Sequence, residues 1–128
     1  MRFNTILSAI VFFIMLSGTQ LSIADDSSIG AMAKIMINLK HFPTELDKQR
    51  LSAITSSSEN SEAEITVATA IANIKHQTTA ADKEKLNAIV ADKSTPADLR
   101  NLASIVLDTN HIPSASDVAK LEKIAPDT

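Results

Sequence analysis

The chain has 128 residues, with 12 basic and 15 acidic side chains, a net charge of −3 and no cysteine. This excludes a disulfide framework and thiol chemistry, and the acidic balance argues against nucleic-acid binding, which needs clustered Lys and Arg. Aromatic residues make up 3% of the chain, and only Phe42 lies beyond residue 24, too few for base-stacking or sugar-binding platforms.

Residues 1–24 have the order of a secretory signal peptide: Arg2, an almost wholly apolar run from Ile6 to Leu16, and the small-residue site Ser22-Ile23-Ala24. The apolar run is short of the roughly 20 residues that span a bilayer, so cleavage after Ala24 is expected, with no membrane attachment afterwards. The remainder, residues 25–128, reads as one domain with 11 basic and 15 acidic residues, a net charge of −4. Export without disulfides suits a bacterial periplasm first and an extracellular setting second.

The domain repeats with a period of 35 residues, in units 26–60, 61–95 and 96–128. Five columns keep one residue type: Ala33/Ala68/Ala103, His41/His76/His111, Asp47/Asp82/Asp117, Leu51/Leu86/Leu121 and Ile54/Ile89/Ile124. A period in this range predicts a helical-hairpin repeat. In the first unit, Ile29, Met32, Ala33, Ile35, Met36, Ile37 and Leu39 mark one helix. Thr44-Glu45-Leu46-Asp47 caps a second, which buries Leu51 and Ile54.

In the second unit, Ser61-Glu62-Ala63-Glu64 has capping-box form, and Ile65, Ala68, Ile71, Ala72 and Ile74 carry a helix to about Lys75. After a break at His76-Gln77-Thr78, Thr79 and Asp82 cap a helix that buries Leu86, Ile89 and Val90 and fades by Ser94. In the third unit, Pro96 is placed at the first helical position, followed by Leu99, Leu102, Ala103, Ile105 and Val106. Ser114 and Asp117 then cap a helix that buries Leu121 and Ile124. Pro43 and Pro113 enforce the break between paired helices, and Arg50, Lys85 and Lys120 sit three residues after each repeated aspartate, at ion-pair spacing.

The prediction is an all-α fold of six helices in three stacked antiparallel hairpins. The period resembles that of the tetratricopeptide class, whose repeat is about 34 residues, without that motif's tryptophan, glycine, tyrosine and phenylalanine. A right-handed solenoid is the arrangement this resemblance implies, and a compact helical bundle is the alternative.

His41, His76 and His111 are the only histidines. Each follows a helix end, where an imidazole can complement exposed carbonyls, so a helix C-cap role is expected, with pH sensing as a second role. Three histidines also form the protein half of many zinc and copper sites. In a linear stack, however, equivalent side chains stand at least ~8–10 Å apart, so no metal and no cofactor is expected. No Gly-x-Ser-x-Gly, His-Glu-x-x-His or phosphate-loop motif occurs, and the chain reads as a non-enzyme.

The least faithful helix is the first, where Ile29, Met32, Ile35, Met36 and Leu39 cover more than one face. They either fold deeper into the domain against the second hairpin or form the candidate surface for an unknown protein partner or a second copy of the chain. The expected function is therefore an exported interaction or self-association module. A periplasmic metal- or pH-responsive factor using the histidines is the alternative.

Overall fold

The computed structural model describes residues 27–125; the leader expected at 1–24 lies outside them. Among the described residues the protein is all-α, with six helices and no strand: α1 (Ser28–Ile37), α2 (Glu45–Ser56), α3 (Glu62–Ala72), α4 (Ala80–Ala91), α5 (Ala97–Asp108) and α6 (Ala115–Ile124). No helix is long and apolar enough to cross a membrane.

Helix starts follow cap chemistry. The Thr44, Ser61, Thr79 and Ser114 hydroxyls accept from the backbone N–H three residues on, satisfying a donor that has no partner inside the helix. Ser27 does the same for α1. Pro96 differs from expectation by one residue: it is itself the N-cap of α5, without a side-chain bond. Helix α3 stops at Ala72, short of Lys75, with Asn73 as its C-cap. Of the three expected aspartate–base pairs, the one at ion-pair distance is Asp117–Lys120, at 3.5 Å. Asp82 instead is buried, and its carboxylate accepts from Thr79 Oγ1 at 2.9 Å and Asn73 Nδ2 at 3.1 Å.

Helices α1, α3 and α5 pack against one another, and Ala33, Ala68 and Ala103 are wholly buried on them. Small side chains at that column allow the three backbones to approach closely. The flanking columns Met32/Val67/Leu102 and Met36/Ile71/Val106 are equally buried. The other three helices fill the outer gaps: α2 lies chiefly on α3, α4 on α5 and α6 on α1, with Leu51, Leu86 and Leu121 as their fully buried residues. Because α1 packs on α6, the first and last helices are neighbours. A solenoid keeps its two ends apart; here they meet.

That closure corrects the reading of the first helix. Met32, Ile35, Met36 and Leu39 lie in the core and Ile29 is half-buried against it, so these residues offer no exposed strip to a partner. A helix apolar on more than one side is one that is covered on more than one side. Helix α6 supplies the extra cover.

A polar tie joins α1 to α3. The Ser28 hydroxyl donates to Glu64, which also accepts from the Ser61 backbone N–H at 2.8 Å. Partial burial pushes the Glu64 carboxyl up, but the bonds from Ser28 and Ser61 together outweigh it and leave the group below its ordinary value. A lowered folded-state value gives stability that is present above the unfolded value and lost as pH falls through the folded one. The stability difference between the wild type and Glu64→Gln, from urea melts, is thus expected to be largest near neutrality and to close below about pH 4. Met36→Lys places an ammonium in the core and is expected to abolish the cooperative thermal transition seen by circular dichroism.

Candidate metal centre

The segments leaving α1, α3 and α5 follow one alternating plan. Leu39, Ile74 and Thr109 are buried; Lys40, Lys75 and Asn110 are exposed; the histidines are exposed; Phe42, Gln77 and Ile112 are exposed; and Pro43, Thr78 and Pro113 are buried again. Buried anchors on both sides of a short exposed stretch force the backbone to reverse at its middle residue. That residue is His41, His76 or His111, with φ of 67°, 72° and 73°. At two of the turns the N–H two residues on closes a three-residue ring: Phe42 N donates to the Lys40 carbonyl at 2.7 Å and Ile112 N to the Asn110 carbonyl at 2.9 Å. A γ-turn with positive φ at its centre is rare and strained for a residue bearing a Cβ.

The three turns meet. His41 N–H donates to the His111 carbonyl at 3.0 Å, His76 N–H to the His41 carbonyl at 2.7 Å, and His111 N–H to the His76 carbonyl. Each histidine is thus donor to one of the others and acceptor from the third, in a closed ring of backbone hydrogen bonds. The C-cap positions belong instead to Asn38, Asn73 and Thr109, and Asn38 Nδ2 bonds the Lys34 carbonyl at 3.0 Å. The expected C-cap role of the histidines is therefore not what the turns display.

The imidazoles cluster with the backbone. Ring centroids are 5.3 Å apart for His41–His76, 5.3 Å for His41–His111 and 5.1 Å for His76–His111. One ring nitrogen from each lies within 4.8 Å of the others, and all three residues are exposed. The separation expected from a linear stack is overturned, because units arranged around an axis bring equivalent residues together where a linear stack spaces them out.

Three imidazoles that each aim a nitrogen at a tetrahedral ion, with bonds of ~2.0–2.1 Å, have centroids about 5.2 Å apart; an octahedral face would need about 4.6 Å. The observed centroid spacing matches the tetrahedral case, and the nitrogens, within 4.8 Å of one another, would have to turn closer together to share an ion. Asn110 Oδ1 lies 2.8 Å from His111 Nδ1, and in the tautomer that donates this bond the Nε2 lone pair is left for a ligand bond. The donor set is all imidazole, and suits zinc or copper better than magnesium or calcium.

Sequence reasoning singled out the three histidines but expected them to stand apart, and missed both their convergence and the neighbours that follow them. The large exposed apolar side chains are Phe42 at 58%, Ile112 at 56% and Leu46 at 55%, and the first two directly follow a triad histidine. The alternation from Leu39 to Pro43 was the available signal for a tight, anchored turn. No protein-family model, curated protein or solved structure matches the chain.

Glycine adopts positive φ freely, whereas a Cβ costs about 1–2 kcal/mol there. In urea denaturation, His76→Gly is therefore expected to be more stable than His76→Ala by about 1 kcal/mol.

Proposed function

We propose that the protein is an exported, non-enzymatic binder of a divalent transition ion, zinc or copper, held by His41, His76 and His111. The observation that carries this reading is the choice of residue at the three turn apices. Glycine fits that backbone without strain and asparagine tolerates it, yet all three apices bear an imidazole, and the imidazoles converge at metal-site spacing. Strain kept at three equivalent places argues that the side chain is the purpose of the position. Edge-to-face contact between the rings is too exposed to supply that purpose.

We read the 35-residue helix pair as the unit that delivers one ligand each, so that three units complete a protein ligand set. The leader-like first 24 residues support a periplasmic setting. The burial of Met32, Ile35, Met36 and Leu39 removes the exposed strip that favoured an interaction module, and moves the weight to the metal-responsive reading.

The test is calorimetric titration of the chain with zinc and with copper(II). One ion per chain at a dissociation constant of micromolar or below is expected. His76→Gly should weaken binding at least a hundredfold while its helical circular dichroism is unchanged. Affinity should also fall on acidification, because protons compete for the same nitrogen lone pairs. Absence of binding by the intact triad overturns the proposal.

A further inference from the structure

A tetrahedral ion on three histidines has one position left for a donor from outside the triad. The residues around that position say what the donor is. No carboxylate belongs to the cluster, and the residues preceding the histidines are Lys40, Lys75 and Asn110. A divalent ion on three imidazoles, with Lys40 and Lys75 next in sequence to two of them and no carboxylate in the cluster, favours an anion.

A groove of about 400 Å³ opens directly beside His76, lined also by Phe42, Lys48, Ala72, Ile74 and Lys75. Its two lysines differ. Lys48 is already paired with Glu45 at 3.1 Å, whereas Lys75 has no carboxylate within ion-pair distance among the described residues. Its apolar lining is chiefly Phe42, more than half exposed, and the half-buried Ala72, Ile74 being buried. A cation without an ion-pair partner, sharing a groove with His76 and an apolar side chain, matches a monoanionic head with an apolar tail. A phosphate, with more charge and no tail, would leave that side chain unused.

Resting on the metal reading above, we infer that the bound ion takes its fourth ligand from an organic carboxylate. The carboxylate would reach both the ion and Lys75, and its apolar portion lies along Phe42 and Ala72. Such a carboxylate can belong to a free short-chain acid or to the C-terminus of a peptide.

Cobalt(II) tests this, because its visible absorption reports the identity of the fourth ligand in a tetrahedral site. The full chain is loaded with cobalt and titrated with acetate, with hexanoate, and with an N-acetylated dipeptide ending in leucine. Hexanoate is expected to change the spectrum at a concentration about tenfold or more below that of acetate, since part of its added chain is covered by the groove. The dipeptide saturating below hexanoate assigns a peptide terminus, and the reverse order assigns a free acid. Lys75→Ala should raise the half-saturating hexanoate concentration about tenfold with cobalt affinity unchanged, and Phe42→Ala should remove the preference over acetate. A cobalt spectrum indifferent to all three acids, or equal affinities for acetate and hexanoate, overturns the inference and leaves metal binding standing. Failure to take up cobalt, zinc or copper overturns both.

Discussion

The close packing of α1, α3 and α5 is the constraint from which the site follows. Alanine at 33, 68 and 103 is wholly buried where these helices run against one another, and a larger side chain in that column would hold the backbones apart. Helices that meet along their length deliver their ends to the same place. The turns after Ile37, Ala72 and Asp108 therefore lie close enough for each histidine N–H to reach a carbonyl of another. A histidine cluster at the protein surface is thus decided in the core, by methyl groups in three buried helices.

The backbone ring has its own logic. A chain reversal of this kind leaves the N–H and C=O of its apex without an intrahelical partner. In this protein the apices satisfy one another in rotation, each giving to one neighbour and receiving from the other. The same bonds that accommodate the strained apices also fix the distance between their Cα atoms, and so restrain the imidazoles before any ligand arrives. A site on an exposed face gains this pre-organisation from main-chain atoms, which substitution of side chains leaves in place.

Much of the local structure was legible in the residues. The hydroxyls at 44, 61, 79 and 114 mark helix starts because few other side chains can take an orphan N–H, and all four do so. The leucines at 51, 86 and 121 were expected to be buried and are. What one repeat does not encode is the rotation from one unit to the next. The same apolar columns suit an open stack or a closed ring, and the difference lies in small angles summed over three steps. Ile35 and Met36, on a helix apolar on several sides, were the residues that asked for a further cover, which α6 provides. Once the ring closes, every inference about the histidines that assumed a linear step reverses. Positive φ was hidden for a related reason: the turns use histidine where glycine would have announced the conformation.

Closure also separates the helix pairings by their cost in chain entropy. Pairs such as α2 with α3 and α4 with α5 are sequence neighbours, so they meet at small cost in chain entropy. The contact of α1 with α6 joins the two ends of the helical series, and it carries the largest loop-closure term of any pairing in the molecule. The hydrogen bond from His41 to His111 joins the first and last of the three units in the same way. The three imidazoles are therefore all together only where the two ends of the helical series are.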